Sequence, residues 1–163
     1  MSDTPGDPAA DPPPDPPAGF ERHFRRSAVT DPWEPLWSRR AAPTAAAAPT
    51  GDAPLPLQLG VRLGPRHCNS RGFVHGAVIA ALADNAMGLT YVLASREAGR
   101  DLSGAVTVSL NIDYAASARA GQWLQVEPRL IRAGGAMGFV DALVTADEQV
   151  AARASATFRA VSP

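Results

Sequence analysis

A chain of 163 residues, 45% of them hydrophobic, is long enough for one domain with a buried core. Its formal net charge of −1 gives no footing for a nucleic-acid or membrane-surface partner. All fifteen basic residues are arginine, which reads as genome composition and not as a phosphate-binding design.

The single cysteine, Cys68, excludes an internal disulfide framework and suits a reducing compartment. Residues 1–19 carry Asp3, Asp7, Asp11 and Asp15 and no basic residue, unlike the positive and apolar regions of a secretory signal. The cytoplasm is therefore the expected location.

Thirteen of the sixteen prolines precede residue 57, which places the expected start of the folded domain there, over 57–163. Residues 1–18 are too poor in hydrophobic groups to repay ordering entropy and are expected to be disordered. Residues 19–56 read as an N-terminal helix and a linker. The helix falls at 20–26, and the Ala/Pro/Thr linker at 41–54. Phe20, Phe24, Trp33 and Trp37 are expected to cover an edge of the domain.

From residue 57 the pattern changes. Leu57, Leu59, Val61 and Leu63 alternate at period two and predict a strand. Residues 75–97 predict one helix, apolar nearly all round and so buried on most sides. It is long enough to span a membrane, but it contains His75, Asp84 and Asn85. A mid-helix Asp costs about 2.5–3.5 kcal/mol to insert, and strand patterns follow, so no membrane partner is expected. Gly99 and residues 101–104 break the helix. Four strands are then predicted at 105–115, 122–132, 137–146 and 150–161. The first has Val106, Val108, Leu110 and Ile112 on one face. The turns lie at 133–136 and 147–149. A helix apolar on most faces can be covered by an antiparallel sheet that curls around it, which is the α+β hotdog arrangement.

The chemistry is concentrated between residues 69 and 85. Asn69 is followed six positions on by His75 and Gly76, and eight positions after Gly76 by Asp84 and Asn85, in otherwise apolar surroundings. Burial disfavours a charged carboxylate, so a chain that keeps Asp84 there has a use for it. His75 and Asp84 are nine positions apart. On one helix they point to opposite sides, about 13 Å apart along the axis. If both serve one site, the second must come from another subunit. The spacing thus implies a homodimer with two composite sites.

This constellation resembles the motif of hotdog-fold acyl-CoA thioesterases, most closely the phenylacetyl-CoA thioesterase-like branch. The resemblance continues in the strand with Thr107, Asn111 and Tyr114 and covers roughly residues 57 to 160. One departure is Ala77, where the family commonly has a second glycine after the histidine. The resemblance implies an acyl-CoA substrate and a homodimer or homotetramer joined sheet edge to sheet edge; the hydrolysis needs no cofactor, and no metal is expected because His67, His75 and Asp84 lack any compact ligand spacing. It implies Asp84 as general base or nucleophile, with Asn69 and Thr107 holding the attacking water or the thioester. It gives the Gly76 amide to the thioester oxygen and makes His75 the support of that turn. Asn85, Arg71 and Arg132 are the candidate contacts to substrate and CoA; Arg132, where relatives often have a basic residue, is the best phosphate candidate, and Arg66 and Arg71, which flank Asn69, are weaker ones.

The residue types suit the reaction. A tetrahedral oxyanion needs preorganised donors. An amide in the first turn of a helix has no intrahelical acceptor and lies at the positive end of the dipole. Other readings stay open: a structural acid at Asp84, a turn-stabilising His75, an ordinary strand threonine at Thr107, and solvated surface arginines. Cys68 beside His67 reads as a structural thiol. At the level of activity the alternatives are a hotdog hydratase or dehydratase acting on acyl thioesters, and a non-catalytic acyl-CoA-binding regulatory protein.

Overall fold

The computed structural model describes residues 16–41 and 55–162. Most of the acidic tail and nearly all of the 41–54 linker lie outside the described residues. In chain order the elements are β1 (Glu21–Arg22), β2 (Leu36–Arg40), β3 (Leu57–Arg62), α1 (Gly76–Glu97), β4 (Gly104–Tyr114), β5 (Trp123–Ala133), β6 (Met137–Ala146) and β7 (Gln149–Val161). The strands form one antiparallel sheet in the spatial order β1-β2-β3-β5-β6-β7-β4. Helix α1 touches β3, β4, β5, β6 and β7, so the sheet wraps it. This is the expected hotdog fold.

Period-two burial explains why the sheet closes on the helix. Leu124 and Val126 of β5, Val140, Ala142 and Val144 of β6, and Ala152, Ala154, Ala156 and Phe158 of β7 are all buried. Across β6 and β7 each valine or alanine faces an alanine (Val140 to Ala156, Ala142 to Ala154, Val144 to Ala152). The small β7 side chains let the helix come close, and each fully buried Leu, Val or Phe contributes about 1.5–3 kcal/mol. At Gly138 a Cβ would stand 2.3 Å from the Tyr91 ring, so only glycine admits that aromatic. Tyr91 in turn stacks on Phe158 at 6.3 Å. The β6–β7 turn has Asp147 at φ 47° and Glu148 at φ 69°, the left-handed pair that matches the twist of a two-residue hairpin. Helix α1 is long and apolar enough to cross a membrane by length and composition, yet five strands cover it as a core helix.

Three expectations need correction. Residues 20–26 form no helix. They contribute the two-residue strand β1, which pairs with β2, and β2 pairs with β3 from Leu36 opposite Val61 to Arg40 opposite Leu57. The open edge of β3 offers backbone partners that outweigh the weak i, i+4 pattern of Phe20 and Phe24. Phe20 is buried edge-on against Trp123 at 5.1 Å, and Trp33 packs on the core, but Phe24 is 66% exposed and meets the His23 ring at 4.8 Å.

Second, the apolar residues of β4 do not share a face. A bulge between Thr107 and Ser109 shifts the register. Thr107, opposite buried Phe158, and Leu110 and Ile112, opposite buried alanines, all face the helix, while Val106 and Val108 are exposed. An extra residue reverses the alternation, so positions three apart point the same way.

Third, α1 is not covered all round. Ala77 is exposed, and Ala80, Ala81, Asp84, Asn85 and Gly88 are half-buried along one open face of small and polar residues. Asp84 sits on that face and not inside the core.

Candidate active site

Thr107 and Asp84 meet where β4 crosses the open face of α1. The Thr107 hydroxyl donates to Asp84 Oδ1 at 2.7 Å, and among the described residues it is the carboxylate's hydrogen-bond partner. Asp84 also lines a cleft. That cleft has a volume of about 330 Å³ and is also lined by Asn85, Gly88, Leu89, Val92 and Phe158. The bulge lets Thr107 and the later apolar residues Leu110 and Ile112 share the helix-facing side.

A second cleft, of about 230 Å³, lies at the N-terminus of α1 and holds Asn69, Arg71, Gly76 and Tyr114. The loop that leads into it is tied down by backbone bonds from Asn69 N–H to Phe73 O at 2.7 Å, Val74 N–H to Ala118 O at 2.8 Å and His75 N–H to His67 O at 2.8 Å. Asn69 Oδ1 accepts from the amides of Arg71 at 2.9 Å and Phe73 at 3.3 Å. Its carbonyl oxygen is thereby occupied, and its NH₂ is the end left to donate. His75 is the N-cap, with Nδ1 accepting the Ala77 N–H at 3.0 Å. The Gly76 N–H has no acceptor among the described residues. It stands in the first turn of a 22-residue helix, where the dipole favours negative charge.

The two clefts share no residue. Asp84, Asn85 and Thr107 belong to one; Asn69, Gly76 and Arg71 belong to the other. Within a single chain the structure therefore does not bring Asp84 to the Gly76 amide. Arg132 lines neither. It lies exposed on β5 opposite Phe139, on the sheet face turned away from α1.

The sequence profile of the thioesterase superfamily matches residues 71–152. A Pseudomonas aeruginosa protein that carries an esterase name is 35% identical over 141 residues, covering 86% of this chain and 93% of that protein. The chain belongs to the thioesterase superfamily. Among solved structures of similar proteins, smu.793 of Streptococcus mutans, bound to acetyl-CoA, superposes with a TM-score of 0.58 at 26% identity over 65% of this chain and 81% of its own. The BH2602 protein of Bacillus halodurans, solved with CoA, gives a TM-score of 0.55 at 27% identity, over 64% of this chain and 66% of its own.

Around this thioesterase-superfamily scaffold the structure adds two features that the sequence does not assign. The Tyr114 hydroxyl donates to Gly76 O at 2.8 Å, and its ring lies so close that a Cβ on Gly76 would be 3.1 Å away. The signal is parity after an unseen bulge: positions 110, 112 and 114 all turn toward the helix. Residues Arg25, Arg26, Ser27, Val29 and Thr30 line the Asp84 cleft from the N-terminal side. No local pattern reports a contact between positions so distant in the chain.

His67 and Cys68 take structural places. His67 Nδ1 accepts the Gly64 N–H at 2.8 Å, and Nε2 reaches Trp33 O at 3.3 Å. Burial holds its ring below the ordinary histidine range, although the backbone bonds at Trp33 and Gly64 pull the other way. The half-buried Cys68 thiol donates to Gly64 O at 3.6 Å. Arg66 is held by Glu34 O at 3.1 Å.

Proposed function

We propose that the protein hydrolyses acyl-CoA thioesters, RCO–S–CoA plus water giving RCOOH and CoA–SH, at composite sites in a homodimer. The observation that carries this reading is the Asp84–Thr107 pair, 2.7 Å apart on the open face of the helix. Membership of the thioesterase superfamily and the CoA ligands of two structural relatives support the substrate class.

In this mechanism Thr107 fixes the Asp84 carboxylate, and Asp84 takes a proton from water as the water oxygen attacks the thioester carbon. The Gly76 N–H of the opposing subunit binds the developing oxyanion, with the Asn69 NH₂ as second donor to the thioester or the water. Collapse of the tetrahedral intermediate breaks the C–S bond, and the CoA thiolate recovers the proton from Asp84. Asn85 and Arg71 line the two halves of the site and serve as substrate contacts; Arg132 would act only where CoA extends to the outer face. His75 holds the Gly76 turn in place.

The dimer follows from the open surfaces. β4 is an edge strand of eleven residues with Val106, Val108 and Tyr114 each more than half exposed. Such an edge is an association hazard unless another strand pairs with it. Twofold pairing there would lay the small-residue faces of two α1 helices side by side, bringing each Asp84 toward the other Gly76. Further pairing to a homotetramer is compatible with this arrangement. A lone half-buried thiol and an acyl-CoA substrate support a cytoplasmic location.

The test is thiol release from short, medium, long and arylacetyl-CoA thioesters, the last because we favour the phenylacetyl-CoA thioesterase-like branch. Wild-type protein should release stoichiometric thiol, with Asp84→Asn reduced at least about a thousandfold. Saturable acyl-CoA binding without thiol release would replace hydrolysis with a binding role. An enoyl product would indicate a hydratase.

A further inference from the structure

The Asp84 cleft is asymmetric along the helix. Beyond Asp84 its floor is Gly88, Leu89, Val92 and Phe158, all toward the C-terminal end of α1. From Asp84 to Val92 the helix rises about 12 Å. The polar groups Asn69, Arg71 and Tyr114 belong to the other cleft. A thioester carbonyl seated at Asp84 has that apolar floor beside it to receive its acyl side. Glycine keeps that floor open, because a Cβ at Gly88 would press on the Phe158 ring at 3.2 Å.

The roof comes from outside the family-matched region. Residues 25–30 form a built turn. The Thr30 hydroxyl donates to Ser27 O at 3.2 Å, the amides of Thr30 and Asp31 donate to the same oxygen at 3.0 and 2.9 Å, and Thr30 is 3% exposed. Arg26 is neutralised by Asp31 at 3.1 Å. Val29, in contrast, is 66% exposed and lines the cleft, an apolar side chain that the fold does not bury.

We propose that the 25–30 turn is the roof of the acyl pocket and that Val29 sets how long an acyl group the pocket accepts. The proposal rests on the acyl-CoA reading given above. Length selection of this kind is a matter of contact area, in which a methylene gained or refused changes kcat/KM by about 10- to 200-fold.

The experiment measures kcat/KM for straight-chain acyl-CoAs from acetyl to hexadecanoyl on wild type, Val29→Trp and Val29→Gly. Circular dichroism confirms folding, which the exposure of Val29 favours. Val29→Trp should lower the long-to-short ratio at least about tenfold and Val29→Gly should raise it. Ratios unchanged in both variants would overturn the proposal. If wild type turns over no thioester, the hydrolase reading fails by itself, and calorimetric binding of the same series decides the roof. A length-dependent Kd that moves with Val29 supports it; a Kd independent of length, or no binding, overturns it. Selection by charge also overturns it: a gain confined to acyl groups with a terminal carboxylate, abolished by Arg25→Ala.

Discussion

Thr107 reaches Asp84 at 2.7 Å, and the β4 bulge one residue later keeps Leu110 and Ile112 turned to the helix as well. The hydroxyl fixes one carboxylate oxygen of a residue that lines the cleft. A hydrogen bond to a charged group is worth about 1.5–3 kcal/mol. Thr107 is exposed in the single chain, so the lower end applies. On the proposed mechanism, in which the bond orients the base and does not hold substrate, Thr107→Val should lower kcat about tenfold with little change in KM. In an Asp84→Asn background the same change should cost nothing further. A full additional loss in steady-state thiol release would assign Thr107 a separate role.

His75 caps the helix that presents the Gly76 amide. Its Nδ1 satisfies the Ala77 N–H at 3.0 Å. Losing an N-cap costs about 1 kcal/mol. His75→Ala should lower the urea midpoint accordingly, whereas His75→Asn should restore most of the stability through its side-chain oxygen. Equal midpoints for wild type and His75→Ala would show that the cap carries no weight.

Elements whose burial repeats strictly are legible in the amino-acid pattern alone. Residues 137–146 alternate without a break, and β6 occupies that same span as Met137–Ala146. Helix α1 starts one residue after its expected beginning because His75 caps and does not join it. What the pattern does not reveal depends on distant partners. β2 exists because β3 offers it an edge, and Val-Thr alternation in β4 looks continuous although the pairing with β7 is offset. The polar residues of the site can be picked out by their apolar surroundings. Asp84 and Gly76 line different clefts, and His75, whose angular spacing from Asp84 the sequence displays, lines neither. The roof over Asp84, by contrast, is a contact between residues more than fifty positions apart.

Two buried histidines predict acid sensitivity. Burial lowers His23 and His67 below the ordinary value of 6.5. For His23, Glu34 opposes the shift and Arg25 adds to it; for His67, the backbone bonds at Trp33 and Gly64 oppose it and Arg66 adds to it. Both rings are thus neutral in the fold at neutral pH. The unfolded chain binds the extra protons first, so stability is full above about pH 6.5 and falls as pH drops through the lowered folded-state values. The urea midpoint should decrease between about pH 7 and pH 5. Neither ring nitrogen of His23 has a partner among the described residues, so His23→Phe should reduce that slope without loss at neutral pH. An unchanged slope would remove His23 from the account.

The proposed composite site makes a prediction that no single-chain site shares. Asp84 and Asn69 line separate clefts within one chain. If each working site takes Asp84 from one subunit and Asn69 from the other, Asp84→Asn and Asn69→Ala subunits are each inactive as homodimers. Unfolded together and refolded at equal concentration, half the dimers are mixed, and each mixed dimer contains one site with both native residues. About a quarter of wild-type activity should return, since twofold symmetry gives two sites per dimer. Were both residues to act within one chain, mixing would restore nothing. Val108→Lys, which puts a charge on the exposed edge of β4, should block the recovery by leaving monomers in sedimentation. Activity in a sedimenting monomer would dispose of the shared site.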